Sequence, residues 1–184
     1  MPDLNENLKW SDVNKEDRDA FQQQFSMPTL ERFPVNTKLY RFSDDPSPTL
    51  HKGHFSPWWS PYERHKDGTG WEDRVRFAQM MGVSVREYGR LTSVIQEDRN
   101  SCAFLKIIQL KEPVWGFVGG LKEMPRPGKG PSKVLAGEGR GPTIRLTGPT
   151  PQPANLPGGA TQIYIPGLSE KQAVFVESRD LKGM

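Results

Sequence analysis

A stretch rich in proline and glycine, residues 124–159, most constrains what this chain can fold into. It contains the runs PRPGKGP, GEGRGP and TGPTPQPANLPGG. Proline removes a backbone donor and glycine costs conformational entropy, so we expect no long helix and no central strand there. A loop of this length is either functional or mobile, with room for one short strand at 143–146. The core must therefore come from the residues on either side.

The composition favours one domain with a modest core. The chain has 184 residues, of which 34% are hydrophobic, with 17 prolines and 18 glycines. Five tryptophans and nine phenylalanines supply the bulky core material that disordered chains usually lack. The one cysteine, Cys102, can form neither an intrachain disulfide nor a zinc site. We expect it to be a small buried hydrophobe.

The charge pattern does not favour a nucleic-acid or membrane partner. The 25 basic and 22 acidic residues are interspersed, with a net charge of +3, whereas nucleic-acid binding usually shows as a basic run or a basic helical face. No stretch approaches the roughly 18 apolar residues of a membrane span, and the N-terminus has no signal-peptide pattern. We therefore expect the chain to work in an aqueous compartment and, if it is exported, to use another route.

Residues 1–35 are predicted to form an N-terminal extension with one helix. Asn14 followed by Asp17 is typical of a helix start. Phe21 and Phe25 then share one face of that helix, because residues four apart are neighbours on its surface. The remaining residues, 36–184, are predicted to form the main domain.

The early part of that domain predicts one strand and two helices. Residues 38–42 have strand character, whereas the segment 54–61 is extended but contains two prolines, which argue against a central strand. A helix is predicted over 71–81, and a second begins at Ser84, with Glu87 completing a capping box. Its apolar positions fall at helical spacing: Tyr88, Leu91, Val94 and Ile95.

Strands dominate the later part of the chain. They are predicted at 104–110, 114–118, 161–165 and 173–176. The last two are predicted to form a hairpin-like pair. Because the helices come early and the strands late, the sequence predicts an α+β fold rather than a βαβ array.

Several familiar site motifs are absent from the sequence. It contains no GxxxxGK[ST], HExxH, CxxC or GxSxG. The glycine-rich run at 137–141 follows no predicted strand and opens no helix, which argues against a dinucleotide fold of the Rossmann type. Three histidines, His51, His54 and His65, have no matching carboxylate pattern, so we expect exposed loop histidines and no metal.

Three separated elements remain as candidates for a site. Arg41-Phe42 ends the first predicted strand, and Phe55-Ser56-Pro57 follows, with Trp58, Trp59 and Tyr62 close behind. Far downstream, Gly158-Gly159-Ala160-Thr161-Gln162 places an amide at the head of a strand. In order and spacing these elements resemble the NAD-glycohydrolase toxins typified by tuberculosis necrotizing toxin, within the ADP-ribosyltransferase-like superfamily. The resemblance spans about residues 38–181.

The resemblance implies a fold, a substrate and a setting. The fold would be an ADP-ribosyltransferase-like split β-sheet, and residues 36–184 would be an NAD-processing catalytic domain. NAD, or NADP as well, would be the substrate, with no metal. The protein would be a toxin or effector that acts in the cytoplasm of a target cell, with a cognate immunity protein as partner.

The resemblance also assigns roles to residues. Gln162 would contact the nicotinamide-bearing ribose, and Arg41 suits the pyrophosphate because guanidinium pairs bidentately with phosphate oxygens. Gln162 and Arg41 are thus the predicted catalytic residues. The residues predicted to bind NAD are Arg41, Phe42, Phe55, Ser56, Trp58, Trp59, Tyr62 and Gly159.

The glutamine at position 162 bears on whether NAD is hydrolysed or its ADP-ribose is transferred. Cleavage between nicotinamide and ribose develops oxocarbenium character, as in glycoside hydrolysis. Transferases of this superfamily generally carry glutamate at the matching position, and glutamine cannot act as a general base, which favours hydrolysis. Glu170 and Glu177 are possible stand-ins. A mono-ADP-ribosyltransferase that modifies a protein or nucleic acid, and a non-catalytic binding domain on the same fold, stay open as alternatives.

Overall fold

A mostly antiparallel seven-stranded sheet organises the computed structural model of the chain, which is α+β with few helices. The α+β class predicted from the sequence is confirmed. The structure describes residues 1–21, 27–48, 50–66, 68–125 and 155–184. The predicted strand at 143–146, the glycine-rich run at 137–141 and Phe25 lie outside the described residues. In the described part, no helix has the length and apolar character needed to cross a membrane.

The strands of the large sheet come from both the N-terminal and the C-terminal parts of the chain. The strands are β1 (Thr29–Phe33), β2 (Lys38–Ser43), β3 (Trp58–Pro61), β4 (Phe104–Leu110), β5 (Val114–Gly120), β6 (Met124–Pro125), β7 (Asn155–Leu156), β8 (Thr161–Tyr164) and β9 (Ala173–Asp180). The helices are a 3₁₀ turn (Trp10–Asp12), α1 (Lys15–Ala20), α2 (Trp71–Met81) and α3 (Val85–Thr92). The sheet order is β1-β5-β8-β3-β2-β4-β9, and β6 pairs with β7 apart from it.

The seven strands form two half-sheets that meet at one narrow seam. β2 and β3 pair only at Leu39 opposite Pro61 and Tyr40 opposite Ser60. Beyond Tyr40, β2 continues beside β4 alone, and β3 continues beside β8 alone. We call the point where β2 and β3 separate the fork.

Each face of the sheet has its own core. On one face, Leu39, Trp59 and Ile108 pack with residues of both half-sheets. On the other face, α2 and α3 cover β2 and β4 through Tyr40, Phe42, Trp71, Ala78, Val85, Leu105 and Ile107. The N-terminal segment covers β5 and β8 on that same face through Val13, Phe21, Phe117 and Tyr164. The fork therefore lies between two separately covered halves.

The helix starts predicted from the sequence are confirmed. Asn14 caps α1 by accepting a hydrogen bond of 2.8 Å from the backbone N–H of Asp17, and the hydroxyl of Ser84 accepts one of 3.1 Å from the N–H of Glu87. α2 has the predicted bounds, and Gly82 ends it in the left-handed conformation, with φ of 67°. α3 stops at Thr92, so the prediction that helical spacing continues through 94 and 95 is wrong.

Three strand predictions are wrong. β3 is the central strand of the sheet, because it has only four residues and its proline, Pro61, stands at the strand end, where the lost donor costs little. β1 lies within residues 1–35, which therefore contribute a strand as well as a helix. β8 and β9 form no hairpin: β8 pairs with β3 and β5, whereas β9 pairs with β4.

Cys102 is buried as predicted, with 0% of its surface exposed. Burial raises the pKa of its thiol to about 11, because desolvation disfavours the thiolate. The side chain therefore behaves as a small hydrophobe between α3 and β4 rather than as a nucleophile.

Candidate functional site

Gln162 and Ser60 lie side by side near the middle of the sheet. β8 and β3 pair with Trp59 opposite Ile163, and the same register, continued by one residue, brings Ser60 next to Gln162. The Nε2 atom of Gln162 donates a hydrogen bond of 2.7 Å to Oγ of Ser60. Both residues are buried, with 6% and 3% of their surfaces exposed. The amide is thus fixed in orientation, with its Oε1 atom left to accept from a ligand.

Arg41 is the first residue of β2 beyond the seam. Its guanidinium carbon lies 5.9 Å from the centre of the Trp59 ring, at cation–π distance. With the residues that the structure describes, its side chain makes no hydrogen bond and no ion pair. Burial lowers the pKa of the Arg41 guanidinium, since desolvation disfavours the charged form. A half-buried cation without a counter-ion among the described residues is a candidate for binding an anionic ligand.

Two cavities meet at the fork. The first, which we call the amide cleft, has a volume of about 720 Å³ and includes Gln162 and Ser60 in its wall. The second, the basic cleft, has a volume of about 680 Å³. Arg41, Arg99 and Asn100 line both. Each volume is within the range of roughly 300–1,000 Å³ that is usual for small-molecule sites.

The two clefts differ in charge. The cations that line the basic cleft are Arg41, Lys52, Arg99 and Lys106, against the carboxylates of Asp44 and Asp45. The carboxylates that line the amide cleft are Glu16, Asp17, Asp19 and Glu123, against Arg41, Arg99 and Lys122. Counted over the described residues, the lining is net positive in the basic cleft and net negative in the amide cleft, so a ligand that spans the fork meets both.

The structure brings most of the predicted NAD-binding residues to these two cavities. Phe55, Ser56 and Trp59 line the basic cleft, whereas Phe42 and Trp58 line the amide cleft. Two predicted residues line neither. Tyr62 packs edge-on against Tyr40, with ring centroids 6.3 Å apart. Gly159 lies in the loop before β8, where its N–H donates to the carbonyl of Leu121.

The two tryptophans of β3 have different surroundings. Trp59 is 2% exposed, and its Nε1 atom donates to the carbonyl of Ser56 at 2.6 Å. Trp58 is half-buried beside Tyr164, with ring centroids 4.9 Å apart. Trp59 is therefore mainly a core residue beneath Arg41, and Trp58 is the one of the two whose ring borders the amide cleft and can stack on a ligand.

Phe42 contributes to packing more than to ligand contact. It is 4% exposed and belongs to the core under α2 and α3. A Cβ atom on Gly89 of α3 would lie 2.1 Å from the Phe42 ring. The glycine thus lets α3 approach β2 closely at Phe42, the residue that follows Arg41 along β2.

Sequence reasoning missed Ser60. It favoured Ser56, which lines the basic cleft and also braces the turn before β3, where its Oγ lies 3.4 Å from the N–H of Trp58. Side chains alternate along a strand, so Ser60 lies on the same face as Trp58. A prediction of 58–61 as a strand would therefore have pointed to Ser60. Lys106 and Arg99 were also missed, because nothing near them in the sequence marks them as site residues.

The possible stand-in carboxylates do not reach Gln162. Glu177 lies on β9, where it pairs with Arg179 at 2.6 Å, and neither it nor Glu170 lines a cleft. His51 and His54 line the basic cleft, whereas His65 bonds Glu31 at 2.7 Å. Within the described ranges, no group of three or more His, Cys, Asp or Glu residues is placed to hold a metal ion.

Comparison of the chain with protein-family models, with curated proteins and with solved structures finds no match. The fork, the two clefts and their residues are therefore the features that bear on function.

Proposed function

We propose that this protein is an NAD glycohydrolase that binds a nicotinamide dinucleotide across the fork. The observation that carries the proposal is that Arg41 and Gln162, the two residues selected from the sequence, both line the amide cleft. They are 121 positions apart in the chain, and the meeting of β2, β3 and β8 brings them to the same cavity. This split sheet also supports an ADP-ribosyltransferase-like core for the fold.

Gln162 suits the nicotinamide-bearing ribose. Its Nε2 atom is committed to Ser60, so the Oε1 atom can accept a hydrogen bond from a ribose hydroxyl. That bond becomes stronger as the sugar develops oxocarbenium character, because the hydroxyl proton becomes more positive. An interaction that strengthens toward the transition state is the kind that accelerates a reaction.

The charge difference between the clefts suits the dinucleotide. Its diphosphate is negative, and Arg41 can pair bidentately with phosphate oxygens. Its nicotinamide ring is positive, and the amide cleft carries the carboxylates of α1 and Glu123. We therefore place the phosphates at Arg41 toward the basic cleft and the nicotinamide in the amide cleft, with Trp58 beside it.

Hydrolysis is the reaction that the residues favour. The bond between nicotinamide and the ribose carbon breaks, nicotinamide leaves with the bonding electrons, and water adds to the sugar carbon and releases a proton. No carboxylate lies two positions from Gln162 along the chain, where Ala160 and Tyr164 stand, and neither Glu170 nor Glu177 lines the clefts. Among the described residues, β8 thus carries no glutamate of the transferase type next to Gln162 to activate an acceptor.

Nicotinamide release measured with and without cell extract tests the proposal. The purified chain should consume NAD alone, or NADP, and extract should add little. A transferase would show little turnover alone and would label a macromolecule when tagged NAD and extract are supplied. A non-catalytic domain would neither bind nor consume NAD, and either result would contradict the proposal.

The setting proposed for this activity is that of a toxin or effector in the cytoplasm of a target cell, with an immunity protein as its partner. Depletion of NAD stops growth, so expression of the wild-type chain should harm cells. The Gln162→Ala variant should be tolerated at the same expression level. Equal toxicity of the two chains would contradict this part of the proposal.

A further inference from the structure

Arg41 and Lys106 occupy directly opposed positions on neighbouring strands. In the antiparallel pairing of β2 with β4, Arg41 stands opposite Lys106. Opposed residues of an antiparallel pair point to the same face, with Cβ atoms about 4.5–5.5 Å apart. Both residues line the basic cleft, so the two positive charges are neighbours on one wall.

This arrangement has an electrostatic cost within the protein. Like charges directly opposed across two strands destabilise a sheet, and burial adds a desolvation cost. The Lys106 side chain is only 8% exposed, and Arg41 is half-buried over the Trp59 ring. Two cations in such a position are expected where an anion binds between them.

Asp45, a described carboxylate that pairs with Lys106, lies at the rim of the cleft. Nζ of Lys106 is 3.4 Å from Oδ1 of Asp45, whose side chain is 50% exposed. The same Asp45 oxygen accepts from the backbone N–H of Ser47 at 2.9 Å and from its hydroxyl. Asp45 is therefore oriented by its own turn, and its ion pair with Lys106 is long and open to water. An anion bound in the cleft can contact Lys106 together with Asp45, or it can take the place of Asp45.

We propose that Arg41 and Lys106 together bind a phosphate group in the basic cleft. The planar guanidinium supplies two parallel N–H donors, and the ammonium adds a point charge on the other side. This proposal rests on the proposed function where the phosphate group is taken to come from the diphosphate of the dinucleotide. A terminal phosphomonoester is another source, with the same chemistry of recognition.

Inorganic pyrophosphate is the probe for the phosphate site. Calorimetry on the full chain should show binding to wild type, and a loss of affinity of about tenfold or more in Lys106→Met, as for a lost hydrogen bond to a charged group. Lys106→Arg, which keeps the charge, should retain most of the affinity. Lys111→Met, which removes an exposed charge just after β4, is the matched control and should bind as wild type does.

Thermal unfolding separates a binding role from a structural one. Without ligand, Lys106→Met should melt close to wild type, because it removes a like-charge contact together with the long, half-exposed ion pair to Asp45 and keeps the apolar stem. Pyrophosphate should raise the melting temperature of wild type and of Lys111→Met but not of Lys106→Met. Absence of pyrophosphate binding by wild type, or equal binding by wild type and Lys106→Met, would overturn the proposal.

Two further ligands distinguish the sources of the phosphate. ADP-ribose presents an internal diphosphate, and AMP presents a terminal phosphomonoester. Weaker binding of ADP-ribose by Lys106→Met supports the diphosphate as the source, whereas weaker binding of AMP alone supports the phosphomonoester. If wild type binds pyrophosphate through Lys106 but leaves NAD intact, the proposed function fails and the phosphate site stands.

Discussion

The amide of Gln162 is held by the hydroxyl of Ser60, 2.7 Å away on the neighbouring strand. Ser60→Ala should therefore loosen the amide without removing it. We expect nicotinamide release to fall about tenfold, with the larger change in kcat, since the loss of one buried hydrogen-bond partner costs roughly 1–3 kcal/mol. Steady-state assays of NAD cleavage measure this change.

Ser11→Ala is a suitable control for Ser60→Ala. Ser11 lies on the exposed 3₁₀ turn, where its hydroxyl is 3.4 Å from a carboxylate oxygen of Asp12, and it lines neither cleft. Its activity should equal that of wild type. An unchanged kcat in Ser60→Ala, with the fold intact, would mean that the hydrogen bond does not orient Gln162 for the reaction.

Acid should destabilise the protein through Asp73. Its carboxylate accepts hydrogen bonds from Arg64, at 3.0 and 2.5 Å, and from the N–H of Gly70 at 3.0 Å. These contacts lower the pKa of Asp73 from 3.8 to about 2. Because the folded state holds the proton more weakly than the unfolded state, this stabilisation is complete above about pH 5 and disappears as the pH falls toward 2.

Urea unfolding at several pH values checks the role of Asp73. The wild-type midpoint should fall between pH 5 and 2, and Asp73→Asn should show a flatter profile over that interval. Asp98→Asn, in the exposed turn after α3, should keep the wild-type profile. Equal pH dependence of wild type and Asp73→Asn would assign the acid sensitivity to other carboxylates.

Gly89→Ala should destabilise the fold although alanine is the better helix former. The new methyl group would lie 2.1 Å from the Phe42 ring, and that ring is itself buried. Overpacking of this kind costs about 1–3 kcal/mol, more than the roughly 1 kcal/mol that alanine gains over glycine in a helix. The free energy of unfolding in urea should fall, whereas Gln79→Ala, on the exposed side of α2, should change it little. A more stable Gly89→Ala variant would show that α3 can move away from β2 at small cost.

The Cys102 thiol should react slowly while the protein is folded. It is fully buried, and its pKa is raised to about 11, so little thiolate forms near neutral pH. A thiol reagent should label it at a rate limited by opening of the structure and rapidly in urea. Cys102→Ala should retain NAD cleavage. Fast labelling of the native chain, or loss of activity on substitution, would contradict the structural role.

The helices were the part of the fold that local sequence signals could predict. Side-chain caps at Asn14 and Ser84 and the glycine after Met81 act within a few residues, so they can be recognised without tertiary structure. β3 escaped prediction because Pro57 and Pro61 argue locally against a strand, whereas Pro57 lies before the four-residue strand and Pro61 stands at its end, where the missing donors cost little. β1 and the separation of β8 from β9 depend on pairing partners far along the chain.

Part of the site could also be predicted from the sequence. Arg41 and Gln162 were found through order and spacing along the sequence, and both line the amide cleft. Ser60 and Lys106 were not found, because their importance comes from register across strands: Ser60 meets a residue 102 positions away, and Lys106 stands opposite Arg41 only in the assembled sheet. Tyr62 was included for its ring and lies outside both clefts.

Nicotinamide release from NAD by wild type, Gln162→Ala and Gln109→Ala tests the central claim most directly. Gln109 lies on β4 and bonds Asn36 at 2.9 Å, away from both clefts, so it is the matched control. We predict steady release by wild type and Gln109→Ala, and a loss of at least about a hundredfold in Gln162→Ala, as for the loss of an interaction that acts in the transition state, with the melting temperature retained. NAD left intact by wild type, or cleaved equally by wild type and Gln162→Ala, would contradict the account.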